Sequence, residues 1–213
     1  MATVLIMGAS RGIGLATVKC ALEAGHEVRA LARSAHSIEL DRPKLTKVTA
    51  DAFDAAAVER ALEGVDAVIQ TLGVTPSVER AVKPTNLFSK ATLVLVQAME
   101  KTGVRRLIVV TGLGAGDSRN RGGFLYSIAF HLFLGRVYAD KDVQEKLIRE
   151  SGLDWLIARP VILTNGPRSG RYHVLVKPRS WRMGFISRAD VADFLVKQIA
   201  DDAYLGTTPV LTG

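Results

Sequence analysis

The first residues able to do chemistry in this chain are three glycines and what lies between them, Gly8-Ala9-Ser10-Arg11-Gly12-Ile13-Gly14. An apolar run, Val4–Met7, precedes them, and a helical pattern follows through Ala24. Strand, glycine turn, helix is the setting in which such glycines hold the phosphates of a dinucleotide. Gly8 lets the chain turn off the strand, Gly12 lets a pyrophosphate approach the backbone, and Gly14 lets the helix pack closely on the strand. Free N–H groups and the positive end of the helix dipole then face the anion. The spacing is Gly-x-x-x-Gly-x-Gly rather than the commoner Gly-x-Gly-x-x-Gly. The alternative is a purely structural turn, and the strand and helix context favours phosphate.

Other chemistry falls at the ends of later apolar runs. Arg33-Ser34 stands where an NAD-preferring site places an acidic residue for the ribose 2′-hydroxyl. Arg33, with Arg11 able to approach the same region, suits a 2′-phosphate held by paired hydrogen bonds, so the sequence predicts NADP(H). The alternative for Arg33 is a solvated surface arginine. Asp51-Ala52 offers a carboxylate to an adenine amine, or a plain turn residue. In Thr71-Leu72-Gly73 a small residue lets the backbone run beside a ribose. Thr111 is a hydroxyl where substrate chemistry would occur, and equally a β-branched strand end. Pro160, in Arg159-Pro160-Val161, stiffens the chain where a nicotinamide would lie.

The elements that must position these residues alternate. Strands are predicted at Glu27–Ala32, Leu45–Thr49, Val65–Gln70, Arg106–Thr111 and Trp155–Ala158, the last stopped by Pro160. Helices are predicted at Ala55–Leu62 behind an Asp54 N-cap, Leu87–Lys101 before a Gly103 C-cap, Phe124–Ser151, and Ala189–Ala200 with Ser187 near its start. Gly112–Gly123 reads as a glycine-rich loop. Arg171–Val176 and Met183–Ile186 read as short edge strands, and Pro209–Leu211 as a last strand. The expected fold is α/β, a Rossmann-type doubly wound parallel sheet with a small C-terminal substrate-side extension, and residues 1–213 are expected to form one NAD(P)-binding domain. Such sheets bind ligands at the carboxyl ends of their strands.

Composition narrows the partners. Of the 213 residues 48% are hydrophobic, and the net charge is +7. The densest basic set, Arg168, Arg171, Lys177, Arg179, Arg182 and Arg188, matches no nucleic-acid-binding motif and reads as a solvated rim or an attraction for anions. The four histidines are dispersed and Cys20 is the only cysteine, so no metal site is expected. Cys20 reads as a core residue of the first helix in a chain suited to a reducing cytoplasm. No signal pattern or membrane span is read. Oligomeric state is not legible.

These residues carry a family resemblance. The chain resembles the short-chain dehydrogenase/reductases, in particular the atypical group that includes biliverdin-IXβ (flavin) reductase. The resemblance rests on Gly8 to Gly14, Asp51, Leu72-Gly73, Thr111, Lys146-Leu-Ile-Arg-Glu-Ser-Gly-Leu153, Arg159-Pro160 and Ile186-Ser-Arg-Ala-Asp-Val-Ala192. It implies that Gly8, Ser10, Arg11, Gly12, Ile13 and Gly14 line the pyrophosphate. It places Arg33 at the 2′-phosphate, Asp51 and Ala52 at the adenine, and Leu72 and Gly73 at the ribose. Typical members use a Tyr-x-x-x-Lys pair, the tyrosine as proton donor and the lysine as its partner and ribose ligand. Lys141 aligns with that lysine, which puts Val137 in the tyrosine's place. Tyr138 is one residue on, a rotation of about 100° that should point it elsewhere. Gly112 replaces a second hydroxyl residue, and Val161 stands where the flavin enzyme has histidine.

Without a positioned acid, a planar conjugated acceptor such as a flavin or quinone is the easier hydride acceptor, since its delocalised anion takes a proton from water. The expected partner is therefore a small conjugated molecule reduced at the expense of NADPH, with Phe124–Leu134 as a possible apolar wall. The alternatives are a non-catalytic NADP(H) sensor, and a ketone reductase or epimerase using Tyr138 or Tyr126.

Overall fold

The computed structural model describes residues 1–73, 86–118 and 124–213, with backbone alone for 124–136. Ten strands and five helices are described: β1 (Thr3–Met7), α1 (Gly12–Glu23), β2 (Glu27–Ala32), β3 (Leu45–Thr49), α2 (Ala55–Leu62), β4 (Ala67–Gln70), α3 (Leu87–Thr102), β5 (Arg106–Val110), α4 (Phe124–Glu150), β6 (Asp154–Pro160), β7 (Ile162–Thr164), β8 (His173–Leu175), β9 (Phe185–Ser187), α5 (Arg188–Lys197) and β10 (Val210–Thr212). Eight strands form one sheet in the order β3-β2-β1-β4-β5-β6-β10-β8, all parallel except β8, which runs antiparallel to β10. This is the doubly wound Rossmann arrangement, and the chain reverses its direction of travel across the sheet between β1 and β4.

Local chemistry explains the elements. β1, β4 and β5 are built almost wholly of buried apolar residues, as a parallel sheet covered on both faces requires. One apolar layer, including Val4, Ile6, Val18, Phe194 and Leu195, lies between the sheet and α1 and α5. The other, including Leu5, Met7, Leu62, Leu95, Met99 and Ile148, lies beneath α2, α3 and α4. Asp54 caps α2 by accepting from the Ala57 amide at 3.0 Å. Gly103 ends α3 at φ +77°, a left-handed conformation that suits glycine. The N-terminus of α3 is capped from another helix: Asp140 of α4 accepts from the amides of Phe88 at 2.8 Å and Ser89 at 3.3 Å.

The C-terminal part departs from expectation. Of the two short strands expected at an edge, only the first, β8, joins the main sheet. The second is β9, which pairs in parallel with β7 in a separate two-stranded unit. Pro160 does not stop its strand: β6 runs through it to pair with Leu211 of β10, because a proline can stay in a ladder where its missing N–H is not needed. The Asp190 carboxylate of α5 gathers the preceding loop. It accepts from the amides of Ser169 and Gly170 at 2.7 and 2.8 Å and from the hydroxyls of Ser169 and Ser187 at 3.0 and 2.9 Å. Ser187 in turn caps α5 by accepting from the Asp190 amide at 2.9 Å.

A buried ion pair holds the loop after β5 against α4. Arg159 has no exposed surface and donates to both oxygens of Glu145, at 3.0 and 2.5 Å, and pairs with Asp117 at 2.6 Å. Its guanidinium carbon lies 5.3 Å from the centre of the Trp181 ring. A Cβ on Gly116 would fall 2.5 Å from a Glu145 oxygen and 2.7 Å from an Arg159 nitrogen, so the loop can approach the pair only through glycine. The Gly116 amide donates to Asp142 at 2.6 Å, which fixes the same loop to α4.

Two stability outcomes follow from these contacts. Glu145→Ala leaves the buried Arg159 with Asp117 alone and the Thr111 hydroxyl without its acceptor, and should cost about 3 kcal/mol in urea unfolding, whereas Lys101→Ala, which breaks an exposed pair with Glu59, should cost no more than about 1 kcal/mol. An equal cost for the two would disprove the assignment. Burial pushes the Asp190 carboxyl up, but the Gly170 amide, the Ser187 hydroxyl and the Ser169 donors outweigh it and hold the group below the usual carboxylate range. Its stabilisation is therefore present above the unfolded value, about 3.9, and is lost as pH falls below that value. The stability gap between the wild type and Asp190→Asn should be constant near neutrality and narrow in acid.

Candidate active site

The carboxyl ends of the parallel strands open into a cleft of about 1060 Å³. Its floor at one end is the turn from β1 to α1. Gly8 has φ +83°, and a Cβ there would meet the Thr71 carbonyl oxygen at 2.9 Å. A Cβ on Gly14 would lie 2.1 Å from the Gly8 carbonyl oxygen, so α1 starts as close to the strand as a backbone can pack. Gly14 accordingly sits beneath the turn, and Gly8, Ser10, Arg11, Gly12 and Ile13 line the cleft. Gly12 has φ +59°, and the nearest atom to a Cβ there would be Nε of Arg188 at 3.9 Å, which leaves open space above it. No side chain caps the start of α1. Its first N–H groups have no intrahelical acceptors, and with the positive end of the helix dipole they suit an anion.

Along the cleft from this turn stand Arg33 and Ser34 after β2, Asp51 and Ala52 after β3, and Leu72 and Gly73 after β4. Arg11 and Arg33 are both exposed. Asp51 also serves its own turn, since one carboxylate oxygen accepts from the Phe53 amide at 3.0 Å.

The other end is formed by Thr111 and Gly112 after β5, Pro160 and Val161 at the end of β6, Phe88 of α3, and Val137, Tyr138 and Lys141 of α4. The Lys141 ammonium donates to the Thr111 carbonyl. It lies 4.9 Å from the centre of the Phe88 ring and 5.6 Å from that of Tyr138. Burial lowers Lys141 to about 8, against the opposing pull of Glu145 and Asp140. The Thr111 hydroxyl donates to Glu145 at 2.8 Å. That proton is committed to the buried ion pair and is not offered to the cleft.

Tyr138 corrects the sequence reading. It does not point away; it lines the cleft together with Lys141. Residues three and four apart are both neighbours on a helix face, so a tyrosine three residues before the lysine can meet it as well as one four before. Gly112 makes the room. A Cβ at 112, where φ is +152°, would fall 2.8 Å from the Tyr138 hydroxyl oxygen. The phenol therefore reaches the space that a side chain at 112 would take. Tyr126, His131 and the wall expected from Phe124–Leu134 lie outside the described side chains.

Three participants were missed in the sequence. Arg188 lines the cleft opposite Gly12, although it reads only as one of the six residues of the densest basic set. Glu145 and Arg159 stand directly behind Thr111. The pattern that could have found them is a glutamate four residues after Lys141, facing an arginine inside an otherwise apolar strand. Among the described residues no cluster could hold a metal ion, and no helix is long and apolar enough to cross a membrane.

Known proteins share this architecture. The solved structure of ChuY, an anaerobilin reductase from Escherichia coli O157:H7, is 27% identical and superposes with a TM-score of 0.80 over 99% of this chain and 96% of that one. A sugar epimerase of Bacillus subtilis, YhfK, whose activity is uncharacterised, is 28% identical over 97% of this chain and 96% of its own. An uncharacterised oxidoreductase of Schizosaccharomyces pombe is 25% identical over 77% of this chain, which spans only 60% of that protein. Residues 8–202 match the NAD(P)H-binding family, and the chain belongs to that family.

Proposed function

We propose that the protein is an NADPH-dependent reductase of a planar conjugated acceptor, with linear tetrapyrroles, flavins and quinones as the classes to test. The observation that carries this reading is the single cleft that joins an uncapped helix start at one end to Tyr138 and Lys141 at the other. Its volume of about 1060 Å³ exceeds that of most small-molecule sites, which suits a dinucleotide with an acceptor stacked upon it. The likeness to an anaerobilin reductase supports an extended conjugated substrate.

When bound, NADPH supplies the hydride. The chain's own residues bind, orient and shield. Gly8 to Ile13 would hold the pyrophosphate and Gly14 keeps the helix start in place. Arg33 and Arg11 would hold the 2′-phosphate, Asp51 and Ala52 the adenine, and Leu72 and Gly73 the adjacent ribose. Lys141 would hold the nicotinamide ribose. Pro160 and Val161 would form an apolar floor, and Phe88 part of the wall. The Tyr138 hydroxyl would give a proton to the reduced acceptor. The Lys141 ammonium, 5.6 Å from the phenol ring, favours the phenolate left behind. Thr111, held by Glu145, keeps the lysine in register through its carbonyl.

A second reading is favoured by the same phenol: reduction or epimerisation at an ordinary carbonyl, where a positioned acid is indispensable. Tyr138→Phe separates the two. With a quinone or flavin the variant should keep turnover within about threefold, because water can protonate a delocalised anion, whereas a carbonyl substrate should lose at least about a hundredfold.

The central test is consumption of NADPH by the purified protein across a panel of biliverdin, flavins, quinones and simple ketones. Turnover with at least one conjugated acceptor, and a kcat/KM for NADH at least about tenfold lower than for NADPH, is expected. Arg33→Gln should remove most of that preference by raising the KM for NADPH alone. Dinucleotide binding without turnover of any acceptor would overturn the reductase reading in favour of a sensor, and tighter binding of NADH would overturn the NADPH assignment.

A further inference from the structure

We propose that Arg188 is a second phosphate ligand, reaching across the cleft to close on the pyrophosphate from the side opposite α1. The inference rests on the reading of the cleft as an NADP(H) site and adds a residue to it.

Three observations carry it. Arg188 is the first residue of α5, where a cation opposes the positive end of that helix's dipole. A local preference broken in this way points to a use elsewhere. Next, the side chain is held in an ordered pose. Its Nη1 donates to the Thr164 carbonyl at 3.1 Å and to Oδ1 of Asn165 at 2.8 Å. Thr164 ends β7, and the loop that follows from Asn165 is itself tied down by Asp190, whose carboxylate accepts from the Ser169 and Gly170 amides. Arg188 thus projects from a rigid corner, and little side-chain freedom remains to be lost on binding. Finally, Arg188 and Gly12 line the same cleft. The Arg188 Nε lies 3.9 Å from the position of a Cβ on Gly12, beside the turn read as the pyrophosphate site. Among the described residues neither Nε nor Nη2 has a hydrogen-bond partner. These two donors lie along one edge of a planar guanidinium, the arrangement that grips two oxygens of one phosphate group.

The geometry separates this arginine from Arg33 by ligand part. Arg33 follows β2, at the adenosine end. Arg188 stands over Gly12, at the start of α1, where the two central phosphates belong. Loss of Arg188 should therefore weaken NADP⁺ and NAD⁺ by the same factor, and should not affect a nucleotide that carries the 2′-phosphate but no pyrophosphate.

The test is calorimetric titration of the wild type, Arg188→Gln and Asn165→Ala with NADP⁺, NAD⁺ and adenosine 2′-monophosphate. For Arg188→Gln a loss of about tenfold in affinity for both dinucleotides is expected, with adenosine 2′-monophosphate bound as before. Asn165→Ala leaves the guanidinium in place but loosens its anchor, and should give a smaller loss with the same ligand pattern. It keeps the question answerable should the Gln variant fold poorly. Unchanged dinucleotide affinity in both variants would overturn the role of Arg188 alone. Equal weakening of all three ligands would overturn it too, since that pattern marks the 2′-phosphate or a damaged fold. Failure of the wild type to bind either dinucleotide would overturn the NADP(H) reading and this inference with it.

Discussion

The approach of α1 to the end of β1 is the constraint on which the rest of the cleft depends. Gly14 leaves no room for even a methyl group beside the Gly8 carbonyl, and Gly8 itself sits against the backbone of Thr71. Thr71 returns the contact, donating from its hydroxyl to the Met7 carbonyl at 2.8 Å. Three backbone segments, from β1, α1 and the end of β4, therefore meet at one point. That point lies where the sheet reverses its winding, so no crossover covers it. A larger residue at either glycine would lift the helix, and the uncapped N–H groups would no longer lie at the mouth of the strands. The open helix start is thus a consequence of close packing between backbone segments.

The same economy explains what was readable in the sequence. β2, β3 and α2 fall where predicted, because their boundaries are set by local chemistry: the Gly25-His26 turn, the Asp54 cap and continuous apolar periodicity. The residues that line this end of the cleft were legible for a related reason. In a doubly wound sheet, position just after a strand is already position in the cleft, so finding the strands found Arg33, Asp51 and Gly73. β7 and β9 were harder. Each is three residues long, too short to show a period, and their pairing joins segments separated by the whole of β8 and its loops.

The opposite end of the cleft was misread because it is built by contacts distant in sequence. Tyr138 was judged against an expected spacing from Lys141, and Gly112 against an expected hydroxyl, as two separate losses. In the structure they are one change. The glycine vacates the volume that the displaced phenol enters, and a tyrosine one residue late still borders the same groove because α4 runs along the cleft wall. A side chain at 112 would collide with Tyr138. Such compensation is invisible without knowing that β5 ends beside the middle of α4.

Glu145 shows how the buried interior governs this exposed chemistry. It takes the Thr111 hydroxyl proton on one oxygen and Arg159 on both, so the end of β5 is fixed in orientation as well as in place. With the hydroxyl turned inward, the Thr111 carbonyl is free to accept from Lys141. The lysine lies near the rings of Phe88 and Tyr138, where desolvation outweighs the pull of Glu145 and Asp140 on its acidity. At neutral pH the group is still mostly charged, but it sits close enough to titration that a bound anion or phenolate would shift it. Arg159, read in the sequence only as the neighbour of Pro160, is therefore the charge that orders the chain Glu145–Thr111–Lys141. This end of the cleft is thus ordered from behind, by an arginine with no exposed surface.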